Sequence, residues 1–118
     1  NDTVTASSGN DTITGGSGDD VINAGNGNNV IDISVGNDTA IDGNGNSTFK
    51  VFGFSDKTIT DLGGIDTIDF TGLYSSTLVD EGVTLDLSIV DGTRQEVRSD
   101  GSIAITGAIE NAYGSSLD

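Results

Sequence analysis

The 118-residue chain contains no cysteine, histidine, proline, methionine or tryptophan. Without cysteine, no disulfide can staple a small fold, and a metal ion is the natural substitute. Without histidine, the commonest zinc ligand and the commonest general base are both missing. The lack of proline, beside 18 glycines, argues against a polyproline or collagen-like chain. Only four basic residues (Lys50, Lys57, Arg94 and Arg98) stand against 19 acidic ones, a formal charge of -15 that disfavours nucleic-acid binding. Hydrophobic residues make up 33 %, so an ordinary core would be thin. No apolar run approaches the roughly 18 residues of a membrane span. There is no initiating methionine and no signal peptide, as expected of a processed piece or an excised domain.

What remains is glycine, aspartate, asparagine and threonine. So acidic a chain repels itself when compact. It is either a disordered acidic linker or a fold neutralised by bound cations. The order of the residues decides between these. Residues 1–50 carry a nine-residue beat, and one period reads Gly15-Gly16-Ser17-Gly18-Asp19-Asp20-Val21-Ile22-Asn23. The beat places a carboxylate or its substitute at Asp2, Asp11, Asp20, Asn29, Asp38 and Ser47. Two residues later comes an apolar side chain: Val4, Ile13, Ile22, Ile31, Ala40 and Phe49. Two residues before each later acidic position stands a glycine: Gly9, Gly18, Gly27, Gly36 and Gly45. A linker does not hold apolar residues in register. Each period predicts a tight glycine turn, one oxygen-bearing side chain and one short strand with a single inward apolar residue. Stacked, such turns bring carboxylates and carbonyls together, and a hard divalent cation with six to eight oxygen ligands neutralises them.

The stretch resembles the RTX family, the hemolysin-type calcium-binding repeats of bacterial secreted proteins. The resemblance implies an all-β fold: a right-handed parallel β-roll, a calcium-stabilised solenoid in which two nonamers form one coil. Calcium would sit between a turn and the turn two nonamers later, on motif aspartates and glycine-loop carbonyls. The metal-ligating set carried over is Asp2, Gly9, Asp11, Gly16, Gly18, Asp20, Gly27, Asn29, Gly36 and Asp38. One side of the roll then presents Asp2, Asp20 and Asp38, an acidic row. The other presents Asp11, Asn29 and Ser47, which fades, so calcium is expected to be tighter on the first side. Asn26, Asn28, Asn29, Asn44 and Asn46 offer a local alternative, in which amide side chains satisfy the turns without metal.

After residue 50 the beat fails, and the roll (1–50) is expected to pass into a β-strand-rich flanking or capping unit (51–113). Strands are expected at Thr48–Phe54, Lys57–Leu62, Ile65–Phe70, Val83–Ser88, Ile103–Thr106 and Ala108–Ala112. Residues 89–102 are expected to form a polar loop. The phrases Ile59-Thr60-Asp61-Leu62, Gly64-Ile65-Asp66-Thr67-Ile68-Asp69-Phe70 and Ala108-Ile109-Glu110-Asn111-Ala112-Tyr113-Gly114-Ser115-Ser116 are similar to the flanks of rolls in serralysin-type secreted proteins. In that family such flanks can bind further calcium, which makes Asp61, Asp66, Asp69 and Glu110 candidate ligands, with solvated surface carboxylates the alternative.

Residues 114–118 match the start of another nonamer that Asn1–Thr5 could complete. The pattern is explained by a tandem array or, alternatively, by homotypic head-to-tail association into a filament or surface layer with calcium at the junction. Catalysis is disfavoured: there is no histidine, no cysteine and no nucleophile-elbow motif. An accessory domain of a secreted hydrolase, its catalytic domain elsewhere, is a further alternative. The overall expectation is a secreted or cell-surface bacterial module that binds several calcium ions, is structural rather than enzymatic, and folds when it meets calcium.

Overall fold

The computed structural model describes residues 1–53, 55–72, 84–98 and 101–114. Among them every regular element is a strand. These are β1 (Thr3–Thr5), β2 (Thr12–Thr14), β3 (Val21–Gly25), β4 (Val30–Asp32), β5 (Thr39–Asp42), β6 (Thr48–Lys50), β7 (Lys57–Thr60), β8 (Thr67–Asp69), β9 (Asp91–Arg98), β10 (Gly101–Thr106) and β11 (Asn111–Tyr113). No helix is long and apolar enough to cross a membrane.

The strands alternate between two sheets. One runs β1-β3-β5-β7-β10-β9 and the other β11-β8-β6-β4-β2. All neighbours are parallel except β9 with β10. Each coil therefore contributes one strand to each sheet, as a parallel β-solenoid requires. The register is set by the apolar beat: Val4 pairs with Ile22 and Ile22 with Ala40, while Ile13 pairs with Ile31 and Ile31 with Phe49. Ile22, Ile31, Ala40 and Phe49 are all fully buried. Their strand neighbours point outward, so three-residue strands such as Thr12–Thr14 need only one apolar residue each. A second buried layer comes from Ala24 within β3 and from the residues that directly follow β4, β6 and β8: Ile33, Val51 and Phe70.

The change expected at residue 50 is a change of coil length. Both sheets continue without a break. Ala40 pairs with Ile59 and Phe49 with Ile68, an offset of 19 where the earlier coils use 18. One residue has been inserted in the turn between Phe49 and Ile59, and the nonamer beat then resumes out of phase. Ile59, Ile68 and Ile105 continue the buried apolar stack.

Two strand expectations require correction. The span 89–102 is not a loop throughout: Asp91–Arg98 form β9, which pairs antiparallel with β10. β9 is an edge strand, exposed over Asp91–Arg94 and at Glu96, and such a strand has no apolar alternation to display. Residues 84–88 are not a strand, although Leu85 and Leu87 pack against the core; Thr84 donates to the Val97 carbonyl at 3.1 Å. The proposed nonamer start at 114–118 lies, beyond Gly114, outside the described residues.

Candidate metal centre

The turns stack as closely as the strands. Gly9, Gly18 and Gly27 donate their N–H groups to the carbonyls of Asn26, Val35 and Asn44 in the next coil, each at 2.9 Å. Gly27 and Gly36 show why glycine recurs there. Their φ values are +125° and +127°, and a Cβ at either would overlap the carbonyl of Gly9 or Gly18 one coil earlier.

Two side-chain ladders run along these turns in opposite directions. The residue before each acidic position accepts from the coil that follows: Asn1 from Asp19, Asp19 from Asn37 and Asn37 from Asp56 on one side. On the other side Asn10 accepts from Asn28, Asn28 from Asn46 and Asn46 from Ile65. The acidic position itself accepts from the coil before it. Asp20 takes the N–H of Asp2 at 2.6 Å, and Asp38 takes that of Asp20 at 3.0 Å. In the second row Asn29 takes the N–H of Asp11, Ser47 that of Asn29, Asp66 that of Ser47 and Glu110 that of Asp66. The amide ladders work without metal, as the asparagine content suggests.

The carboxylate row leaves oxygens over. One oxygen each of Asp11 and Asp20 is buried with no hydrogen-bond partner. These are the two rows expected to hold calcium, and the orphaned oxygens suit a hard cation. Gly16 behaves differently, since its carbonyl accepts the Ser34 hydroxyl at 3.2 Å. Asp2 is exposed at the first coil. Asp38 does not stand open: Lys57 is paired with it at 2.8 Å.

The second row does not simply fade. It ends in a buried carboxylate cluster. Asp42, Asp61 and Asp66 offer oxygens that all lie within 4.8 Å of one another. Asp42 is 1 %, Asp61 4 % and Asp66 0 % exposed. Asp42 receives the Asn29 amide at 2.9 Å through one oxygen, and its other oxygen has no partner. Asp66 uses one oxygen for Ser47 and leaves the other orphaned, while neither Asp61 oxygen has a partner. Glu110 closes the group, holding the Asp66 N–H at 2.8 Å. Burial, followed by the nearby charges of Asp61, Asp42 and Glu110, pushes the Asp66 carboxyl up to about 6. Burial also raises Asp61. Carboxylates this close and this dry repel each other unless protonated or bridged by a cation. The donor set is all oxygen, as calcium requires.

Residues 1–31 match the family model of the RTX calcium-binding nonapeptide repeat (4 copies). Over residues 1–31 the N-terminal coils are similar to RTX repeats. Such repeats bind several calcium ions, and they are typical of secreted bacterial proteins. No curated protein and no solved structure gives a significant match. The RTX match covers 31 of 118 residues, and the cluster of Asp42, Asp61 and Asp66 lies beyond it.

Of the flank residues suggested by sequence, Asp61, Asp66 and Glu110 come together. Asp69 does not join them; its carboxylate caps Thr71 at 2.8 Å on the outside of β8. Sequence reasoning missed Asp42 and Lys57. Asp42 closes β5, and in the sequence it stands 18 residues after Ala24, which itself stands 18 after Ala6. An aspartate replacing alanine at an inward position was its only signal. Lys57 falls at an acidic position only once the inserted residue is allowed for.

Proposed function

We propose that this chain is an extracellular structural module of a secreted or cell-surface bacterial protein, disordered or loosely packed without calcium and folded by it. The observation that carries this reading is the set of seven buried carboxylate oxygens, on Asp11, Asp20, Asp32, Asp42, Asp61 and Asp66, that lack any partner among the described residues. Uncompensated buried charge costs several kcal/mol per ion. A chain of this size has about 5–15 kcal/mol of stability in total, and this one has no disulfide to draw on. Calcium supplies positive charge and accepts oxygens from both neighbouring coils. A site with Kd of about 0.1 mM contributes roughly 1.4 kcal/mol in about 1 mM calcium. Several such sites match the stability of the whole fold.

In the repeats the ligands are Asp2, Asp11, Asp20 and the turn carbonyls of Gly9, Gly18 and Gly27, with Asn29 a neutral member of the second row; the Gly36 carbonyl is already taken by the Ser55 hydroxyl and the Lys57 ammonium. Asp42, Asp61 and Asp66, with Glu110 beside them, form a further centre. The export logic of the family supports the same reading: low cytosolic calcium leaves the chain threadable, and millimolar calcium outside folds it. The role is structural, whether the module stands alone or accompanies a hydrolase domain. Circular dichroism in calcium and in EDTA tests this. Loss of the β spectrum in EDTA, restored by calcium but not by magnesium, is expected; an unchanged spectrum would remove the basis for the proposal.

Head-to-tail self-association is the second reading. It is favoured by β1 and β2, each of which ends its sheet with one parallel edge free of partners among the described residues. At the other end of the first sheet the antiparallel β9 takes the edge, so an incoming coil would meet a free parallel edge only beside β11. Calcium-dependent growth in light scattering supports association, and a monomer at high concentration in calcium opposes it.

A further inference from the structure

The row that begins Asp2, Asp20, Asp38 continues with Lys57. At the offset of 19, the tripeptide Ser55-Asp56-Lys57 stacks on Gly36-Asn37-Asp38. At the preceding junction Asp20 keeps an orphaned oxygen, but here the Asp38 oxygen receives the Lys57 ammonium at 2.8 Å. The same ammonium donates to the carbonyls of Ser34, at 3.0 Å, and Gly36, and reaches the Ser55 hydroxyl at 3.2 Å. Its partners are thus two turn carbonyls, a carboxylate and a hydroxyl. These are the donor types that calcium takes. Lys57 is fully buried, which a lysine tolerates only when paired and fully hydrogen-bonded.

The neighbouring residue is altered to match. Ser55 stands in the turn position of Gly18 and Gly36 and, among the described residues, is the non-glycine residue with positive φ, at +150°. Its hydroxyl donates to the Gly36 carbonyl at 2.6 Å. That carbonyl therefore has two donors from within the chain. The hairpin braces the turn from outside: Arg94 donates to the Lys57 carbonyl at 3.3 Å, and Asp56 accepts the Ser102 hydroxyl at 2.6 Å.

We propose that Lys57 is a resident cation that takes the place of calcium at this turn, so that the metal row ends at Asp38 and the junction between these coils holds without metal. The residues here do not fit a calcium ion: a divalent cation among these oxygens would meet the ammonium's charge at contact distance. The proposal rests on the calcium reading of the earlier turns only for its contrast with them. The metal-free junction gives the roll a seam on which metal-dependent coils can stack toward the N-terminus.

The test is amine acetylation of the intact chain in saturating calcium, read residue by residue by mass spectrometry, with the half-buried Lys50 as internal reference. Lys57 is expected to stay unmodified after Lys50 is fully acetylated. Modification of Lys57 at the rate of Lys50 in folded, calcium-loaded chain would mean that calcium displaces the ammonium, and would overturn the proposal. Native mass spectrometry of Lys57→Asp gives a second arm, with one calcium more than wild type expected. A folded variant with an unchanged count counts against the proposal, and if the variant does not fold the acetylation result decides. A chain that binds no calcium at all would defeat the calcium reading while leaving the protection of Lys57 to be judged separately.

Discussion

Asp38 and Lys57, both buried and 19 residues apart, form an ion pair at 2.8 Å between successive coils. The Asp38 carboxylate also accepts the backbone N–H of Asp20 at 3.0 Å from the coil before. One side chain thus joins three coils, through a backbone donor on one side and an ammonium on the other. On the opposite row the same level of the roll holds Asp42, Asp61 and Asp66 with no basic residue among their hydrogen-bond partners. The two rows therefore change character at the same height and in opposite directions, one gaining a fixed cation and the other gaining charge that needs one.

Removing charge from the carboxylate cluster has opposite effects with and without metal. Asp61→Asn relieves repulsion in EDTA and raises whatever residual stability the chain has there. In calcium it removes a ligand oxygen and shifts the folding midpoint to higher calcium. Calcium titrations followed by circular dichroism, run beside thermal melts in EDTA, check both signs. A variant with wild-type behaviour in both conditions would show that Asp61 is an ordinary buried acid.

The cluster also predicts a pH dependence. Asp66 is raised from 3.8 to about 6 in the folded chain. The folded form without metal holds that proton more tightly than the unfolded chain, so this contribution is favourable at low pH and is lost as pH rises from near 3.8 to about 6. Calcium competes with the same proton. The calcium needed for folding should therefore rise as pH falls through about 6, while the metal-free chain gains relative stability over the same range. Calcium midpoints measured on both sides of that pH give the sign.

Gly36→Ala tests the stacking of turns. The residue has φ +127°, and its Cβ would overlap the Gly18 carbonyl. The conformation alone costs about 1–2 kcal/mol for a non-glycine residue, and the overlap forces the two coils apart. A loss of roughly 2 kcal/mol or more is expected in calcium-saturated denaturant melts. Gly9→Ala, where nothing lies within 4 Å, should lose less.

Ile31→Ala tests the thin core. Ile31 is fully buried between Ile13 and Phe49 in its sheet. Truncation of such a residue costs about 2–5 kcal/mol. Val35→Ala, at a position 56 % exposed, should change stability by less than about 0.5 kcal/mol. Equilibrium unfolding of both variants in calcium separates the two.

Much of the fold was legible because each nonamer is a closed local instruction. Glycine permits the positive φ of Gly27 and Gly36, and a single apolar residue such as Ile22 or Ile31 specifies a strand's inward face. The repeat limits each strand's partners to offsets of whole nonamers; the resemblance to RTX repeats implied two nonamers per coil, and the strand register has that offset of 18. The strand β9 was not legible, because its first six residues, Asp91, Gly92, Thr93, Arg94, Gln95 and Glu96, carry no apolar side chain, and the single buried Val97 sets no alternation.

The sequence by itself determined short strands joined by glycine turns with an oxygen-bearing side chain in each, because glycine, aspartate and isoleucine recur at fixed spacing and local geometry follows from spacing. Only the tertiary structure decided which oxygens meet and which cation meets them. A one-residue insertion before Ile59 moves Lys57 under Asp38 and Asp66 beneath Ser47, and it leaves Asp42 and Asp61 facing the same buried space. Such contacts join residues 19 or more positions apart, so they depend on coil register, which a shift of one residue changes and no short stretch of sequence records.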